Sequence, residues 1–427
     1  MDAKQLQLIN LTPLLSDDWT FNGASTRELT HIYHDYPARM IPQIVSKLLD
    51  LYGHNAKSLF DPFCGSGTSL VEATLRGINA FGTDLNPLAR LIARAKTALP
   101  DIHQLGEYIN TFDRQALQAH LHQFGEPPTV YGIPNLDFWF KPQVIEKLWR
   151  IREFIRTIPD EDIRLFFQVA FSETVRESSN TRKDEFKLYR YPPERLEKYD
   201  PDVYGIMSTK LHRNFQGYKK YYAVLSKLTQ IAQVKIFSFN TVEGIPSEIL
   251  SEESIDIVIT SPPYGDSNTT VAYGQFSRLS AAWLELEEPH KIDRKLMGST
   301  PTQSKLEFSS PLLNQAIEKI YQKDEKRALQ VVSFYNDLRA STHNVAKVIR
   351  RNGTACYVVG NRKVKGVVLP TDQAIQAFFE ENGFIHLATH QRTIPNKRMP
   401  LKNSPSNISG ILDSTMTGEY IVVMKRN

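Results

Sequence analysis

Cysteine is scarce. The 427-residue chain has two, Cys64 and Cys356, too few for a disulfide framework or a cysteine-rich zinc site. No stretch approaches the roughly 18 consecutive apolar residues of a membrane span. The opening MDAKQLQLINLTPLLSDDW lacks the apolar core of a signal peptide. Internal repeats and low-complexity tracts are missing as well. These absences exclude secretion, collagen-like structure and disorder, and the expectation is a soluble, cytoplasmic protein with no membrane association. What is present is ordinary globular material, 41% hydrophobic and 23% charged, long enough for more than one domain. A formal charge of +4 hides an uneven distribution. Residues 182–220 hold 10 basic against 6 acidic side chains, and residues 339–402 hold 11 against 3. Basic patches on an otherwise acidic body suit a polyanion-binding groove, although solvated helix faces would give the same counts.

The pattern along the chain opens with IPQIVSKLLDLYG, apolar at helical spacing and ended by Gly53. A short buried strand at 58–60 leads into a glycine loop and the helix SLVEATLRG. A second strand at 79–82 ends near Asp84, and the helix PLARLIARAKTAL follows. Strand, glycine loop, helix, strand, helix is the start of a doubly wound α/β sheet. From about 100 to 233 the alternation stops, and the chain reads as helices (142–158, 163–175) followed by basic, tyrosine-rich loops, an inserted subdomain. Strands VKIFSF and IDIVIT resume the rhythm, the second a run of apolar and β-branched residues bounded by Pro-Pro and therefore a central parallel strand. Residues 265 to about 329 read as polar and irregular apart from FSRLSAAWLEL. A helix (331–349), a strand (ACYVVG), a helix (372–381) and the strands FIHLATH and EYIVVMK complete the pattern, the last strand antiparallel to its neighbour. The expected division is 1–99 and 234–427 as two parts of a catalytic domain, with 100–233 inserted between them.

Two motifs carry chemistry. In Asp61-Pro62-Phe63-Cys64-Gly65-Ser66-Gly67-Thr68, Gly65 and Gly67 let the backbone pass close to a ligand and present amides near a helix N-terminus. A dinucleotide fingerprint needs a third glycine where Leu70 stands, and a P-loop needs Gly-Lys-Ser/Thr; neither is present. The loop suits a nucleotide-like ligand without a pyrophosphate, and Asp84 is placed to accept both ribose hydroxyls. A structural turn with a helix-capping aspartate is the plainer reading of the same residues. The second motif, Thr260-Ser261-Pro262-Pro263-Tyr264, follows IDIVIT at the carboxyl end of its strand, where ligands bind in such sheets. Prolines stiffen the backbone and leave carbonyls free. A rigid carbonyl, a hydroxyl and an aromatic ring can together hold a planar, amine-bearing base; a strand-ending turn with a packed tyrosine would use the same residues.

Together, the two motifs resemble the S-adenosylmethionine-dependent amino-methyltransferases of DNA found in bacterial restriction–modification systems. The resemblance covers about 31–98 and 234–395 and leaves the insert unmatched; this motif order occurs in only some branches of the family. It implies a Rossmann-like class I methyltransferase sheet, S-adenosylmethionine as cofactor, double-stranded DNA as partner and a cognate restriction endonuclease. The family's Tyr-Pro-Ala stretch, which helps hold the cofactor's methionine end, corresponds to Tyr36-Pro37-Ala38-Arg39. Asn240 is the candidate for the adenine contact after the third strand. Serine at the first motif position resembles the cytosine-N4 enzymes, whereas aspartate or asparagine is more usual for adenine-N6, so N4 of cytosine is the expected target and N6 of adenine the alternative.

The residue types suggest a mechanism. An exocyclic amine is a poor nucleophile because its lone pair is delocalised into the ring. Hydrogen bonds from the amine to the Ser261 hydroxyl and the Pro262 carbonyl favour a more tetrahedral nitrogen aimed at the sulfonium methyl. Direct transfer then needs positioning more than acid–base chemistry. The base must leave the duplex, with Tyr264 stacked on it. Ring-carbon methylation would need a nucleophilic thiolate; Cys64 lies in the cofactor loop and Cys356 inside a strand. The loop 265–270 is polar enough to grip a flipped nucleotide. Loops 179–183 and 396–400, with Arg182, Lys183, Lys397 and Arg398, carry groups that read base edges and phosphates. His31, His34 and His343 show no metal-ligand spacing and are read as structural; no metal is expected. A nicotinamide-dependent oxidoreductase would share the fold but leave Ser-Pro-Pro-Tyr unexplained. An RNA methyltransferase would share the motif but lacks an RNA-binding module here. A non-catalytic DNA-binding protein would require a vestigial motif set.

Overall fold

The computed structural model describes residues 18–121, 133–183, 185–265, 272–287, 295–300, 302, 307–394, 402–403, 413–414 and 418–427. Most of the expected loop 265–270 and all of 396–400, with Lys397 and Arg398, lie outside these residues.

Seven strands form one sheet: β1 (Ser58–Asp61), β2 (Asn79–Thr83), β3 (Val234–Phe237), β4 (Ile255–Thr260), β5 (Ile349–Val359), β6 (Phe384–Thr393) and β7 (Gly418–Arg426), in the spatial order β3-β2-β1-β4-β5-β7-β6. The first five are mutually parallel. The last strand, β7, runs antiparallel to both β5 and β6. This is the Rossmann-like sheet with an antiparallel last strand that the sequence led us to expect. Strand order reverses between β1 and β4, which opens a crevice at their carboxyl ends. The pairings Leu59–Ile257 and Phe60–Val258 put the glycine loop and the Ser-Pro-Pro-Tyr turn side by side.

Alternation along the strands divides the core. Leu59, Ile257, Ile259, Cys356, Val358, Ile421 and Val423 face helix α1 (Pro42–Tyr52) and Leu70 of α2 (Thr68–Thr74). Their neighbours Phe60, Val258, Ala355, Tyr357, Val422 and Met424 face the opposite way. Those residues meet α11 (Pro311–Tyr321), α12 (Glu325–Val348) and α13 (Thr371–Glu380). A third apolar cluster joins α3 (Pro87–Thr97) and α10 (Tyr273–Trp283) to the helices that lie between β2 and β3 in sequence. Those are α4 (Ile102–Leu121), α5 (Leu136–Trp139), α6 (Pro142–Arg156), α7 (Glu161–Ser178) and α9 (Val203–Leu225); the short α8 (Pro193–Lys198) lies between α7 and α9 outside this cluster. Their core is thus continuous with the helices flanking the sheet. No described helix is long and apolar enough to cross a membrane.

Two segments depart from the sequence expectation. Residues 203–225, expected as basic loops, form the 23-residue helix α9, capped by Asp202 accepting from the Gly205 amide. Tyrosines supply much of its buried face (Tyr204, Tyr218, Tyr221) among lysines and arginines, which blurs the apolar period. Gly217 lets this helix touch the turn Leu29–Tyr33, since a Cβ there would lie 2.4 Å from the Leu29 carbonyl oxygen. The stretch 265–329, expected to be irregular apart from FSRLSAAWLEL, contains α10 at that apolar segment and also α11, whose buried residues Leu313, Ala316, Ile317 and Ile320 sit at helical spacing.

Candidate functional site

The glycine loop folds back under β2. The Cys64 amide donates to the Thr83 carbonyl (3.1 Å) and Gly67 to the Cys64 carbonyl (2.7 Å). Gly67 begins α2 at φ 78°, and a Cβ there would come within 2.8 Å of the Ala93 Cβ; only glycine permits both the conformation and the close approach of α3. Asp84 closes the loop from the β2 side. One carboxylate oxygen accepts from the Gly65 amide at 2.9 Å and the other from the Asn86 amide at 2.8 Å. The cap of α3 is Asn86, not Asp84, since its side chain accepts from Leu88. Each Asp84 oxygen therefore retains a lone pair for a ligand hydroxyl. Burial pushes this carboxyl above the usual carboxylate range, opposed by the amides of Asn86 and Gly65 and by the charge of Arg90.

Asp61 joins the two motifs. It is buried, accepts from the Thr260 hydroxyl at 2.6 Å and the Phe63 amide at 3.1 Å, and thereby ties the end of β1 to the end of β4. Burial pushes its carboxyl up to about 6, against the donors Thr260 and Phe63. The opposite wall is aromatic. Tyr36 stacks on Tyr273 of α10 at 5.9 Å, and its phenol oxygen accepts from Asn86 at 2.8 Å. Asn86 also donates to Ser277, so α10 is pinned to the cofactor loop. Ala38 holds φ 51°, a strained backbone for a residue with a Cβ.

One cleft gathers Tyr36, Pro37, Ala38, Asp61, Pro62, Phe63, Gly65, Thr68, Asp84, Asn240, Ser261 and Pro263. Gly67 and Pro262 are not among the residues that line it. Tyr264 is also set back from the lining. Its hydroxyl donates to Glu419 of β7 at 2.9 Å and accepts from Ser261 at 3.1 Å. Arg392 of β6, cross-strand partner of Glu419, donates to the other carboxylate oxygen at 2.7 Å. Asn240 closes its own turn, accepting from Val242 and donating to Glu243. Arg182 and Lys183 lie outside the cleft on an exposed turn, near the rings of Tyr189 and Tyr199 at 5.9 and 5.6 Å.

Sequence reasoning did not single out Tyr273, Asn86, Leu85, Thr241 or Phe239 on the lining, nor Lys295, Leu296 and Met297. Tyr273 and Asn86 carried no local signal beyond the Asn-Pro at the start of α3. Burial pushes both cysteine thiols up, which disfavours the thiolate that ring-carbon methylation would need. Of the histidines read as structural, His31 meets Glu72 at 3.0 Å and His343 meets Asn382 at 2.7 Å.

Similarity to known proteins follows the same residues. An RMKL-like methyltransferase domain matches residues 31–109, which span Tyr36, the glycine loop and Asp84. The type II methyltransferase M.MvaI of Kocuria varians is 40% identical over 444 residues, covering 99% of this chain and 98% of that one. The type II methyltransferase M.MjaII of Methanocaldococcus jannaschii is 39% identical over 93 residues, 21% of this chain and 18% of that one. The rRNA methyltransferase aviRa of Streptomyces viridochromogenes superposes over 92% of this chain and 89% of its own with a TM-score of 0.32 at 10% identity, too distant for its substrate to bear on this one.

Proposed function

The chain belongs to the type II DNA methyltransferases of restriction–modification systems, and on that premise we propose that it methylates the exocyclic N4 amine of a cytosine flipped out of double-stranded DNA. Membership of that family sets aside the oxidoreductase and RNA readings, and S-adenosylmethionine is the methyl donor. The observation that carries the proposal is the single cleft that holds both the glycine loop with Asp84 and the Ser261 turn. A cofactor and a base bound there would meet at the ends of β1 and β4.

The residues fit the cofactor. Asp84 keeps lone pairs for two ribose hydroxyls, and the backbone around Gly65 and Gly67 leaves room where side chains would intrude. Tyr36, Pro37, Ala38, Asp61, Pro62, Phe63, Thr68 and Asn240 complete its surroundings. When bound, S-adenosylmethionine supplies a methyl group on positively charged sulfur, the electrophile of the reaction. Ser261 and the Pro262 carbonyl accept hydrogen bonds from the target amine, and the Tyr264 ring rotates about its own axis, its hydroxyl still held by Glu419 and Ser261, to stack on the flipped base.

DNA contacts fall to the segment 100–233 and to the C-terminal loops of 234–427. In support, the turn carrying Arg182 and Lys183 leans on α10: the Leu188 amide donates to Gln275, and Arg176 of α7, which donates to the Glu185 carbonyl of the turn, covers Phe276 at 4.2 Å. The methyl marks would protect DNA from a cognate restriction endonuclease.

The test is nucleoside analysis of DNA from cells expressing the chain, beside Tyr264→Ala. The expected product is N4-methylcytosine, with the stacking contribution of about 1–3 kcal/mol lost in the variant and its cofactor affinity retained. N6-methyladenine would overturn the choice of base, and a covalent enzyme–DNA adduct would overturn the mechanism.

A further inference from the structure

We propose that Glu419 and Arg392 are positioning residues for methyl transfer: they fix the direction of the hydrogen bonds that start at Ser261, so that its oxygen meets the target amine as an acceptor. This rests on the reading of Ser261 and Tyr264 as the base-holding motif.

The direction follows from what each group can do. A guanidinium has hydrogens and no free lone pair, so Arg392 can only donate. Its Nη1 donates to Oε2 of Glu419 at 2.7 Å, and both side chains are largely withdrawn from solvent, 6% and 14% exposed. Low local dielectric strengthens such charge-assisted bonds. The remaining oxygen, Oε1, faces the Tyr264 hydroxyl at 2.9 Å. An ionised carboxylate cannot donate, so the phenol hydrogen must point to Glu419. Burial and the Glu419 charge hold the phenol far above its ordinary titration range, so that hydrogen is retained. The phenol oxygen is then an acceptor for Ser261, at 3.1 Å. A hydroxyl has one hydrogen, and that of Ser261 is committed to Tyr264. What Ser261 turns toward the cleft is therefore lone pairs.

Polarity decides what that oxygen does to an amine. An acceptor draws on an amine hydrogen and leaves the nitrogen richer in electrons. A donor in the same place would engage the nitrogen lone pair that must attack the methyl group. Neither Glu419 nor Arg392 is near Ser261 in sequence; the β6–β7 register, which sets them opposite each other, delivers them to the end of β4.

Glu419→Gln tests the idea because it keeps the shape and changes one acceptor into a donor. Arg392 must still donate, so the amide oxygen turns to it and the amide NH₂ faces Tyr264. The phenol then accepts from the amide and donates to Ser261, whose hydrogen swings into the cleft. Single-turnover methylation at saturating S-adenosylmethionine and DNA should fall about 10- to 100-fold, with the Kd for S-adenosylmethionine and for DNA unchanged. Tyr264→Phe frees the serine hydroxyl to rotate and should cost less. Added to Glu419→Gln, it should restore the rate to that of Tyr264→Phe alone. A bracing role for Glu419 predicts instead that the two losses multiply, and that outcome, or a wild-type rate in Glu419→Gln, overturns the proposal. Glu419→Leu gives the phenol no partner of either kind and should match Tyr264→Phe; it carries the test if Glu419→Gln does not fold, and a wild-type rate in it overturns the proposal equally. Ser261→Ala and Tyr264→Ala separate the two levels. Full activity in both would sink the base-holding reading itself, whereas their inactivity beside a fully active Glu419→Gln sinks only the present inference.

Discussion

Asp61 is the side chain whose chemistry reaches furthest beyond its own loop. It bonds Thr260 from the opposite motif while burial lifts its carboxyl to about 6. A folded value above the ordinary 3.8 means that the native state holds the proton more tightly than the unfolded chain. Its contribution to stability is therefore complete below about pH 4 and is lost as pH rises through about 6. The difference corresponds to roughly 3 kcal/mol. Asp61→Asn keeps an oxygen for Thr260 and removes the titration. Urea unfolding at about pH 5 and about pH 7.5 should show a smaller loss of stability for the variant than for the native protein. Equal losses would mean that Asp61 titrates normally and that water reaches it. At this scale much of the site was legible. Asp61, Gly65, Asp84 and Ser261 announce themselves because each is tied to its neighbours in sequence. Glu419 and Arg392 do not, since their meeting with Tyr264 depends on a strand register that no local pattern encodes.

Among the elements, runs dominated by apolar and β-branched residues, such as IDIVIT and EYIVVMK, identify their strands directly, because both faces of the central sheet are covered. Helix α9 is hidden because tyrosine is buried at one position and exposed at the next; Tyr221 is fully buried and Tyr222 is 44% exposed. The basic, tyrosine-rich loop system expected from the sequence is therefore a narrower feature, the turn around Arg182–Arg190. The Thr181–Arg190 bridge pairs its two arms, while Arg190 lies over the half-exposed Phe138 at 4.4 Å. Exposed cations seated on rings suit phosphate contact or base stacking. Reversing Arg182 and Lys183 to glutamate should weaken DNA binding and lower the salt slope by about 0.9 for each phosphate no longer neutralised. Discrimination would fall by about 1–3 kcal/mol if either side chain reads a base edge. Binding measured on specific and unrelated duplexes at several salt concentrations separates these cases. An unchanged slope and unchanged preference would move recognition off this turn.

For the whole molecule, the reversal of strand order brings together motifs about 200 residues apart in the chain, at Asp61 and Thr260. The cleft also reaches α10 through Tyr273 and the β3 end through Asn240, so its walls come from segments that the sequence separates widely. A ligand that contacts all of them stabilises the native state alone. At a hundred times its Kd, S-adenosylmethionine should add about 2.7 kcal/mol, read as a rise in Tm of a few degrees. Asp84→Ala is the control that ties this rise to the proposed site. Removing the carboxylate withdraws two ribose hydrogen bonds of about 1.5–3 kcal/mol each. It also strands the amides of Gly65 and Asn86, which the carboxylate now accepts from. The variant should melt below the native protein without cofactor, and at the same cofactor concentration its Tm should barely move. A cofactor-dependent rise equal to that of the native protein would show that S-adenosylmethionine sits elsewhere, and that Asp84 serves only to shape the glycine loop.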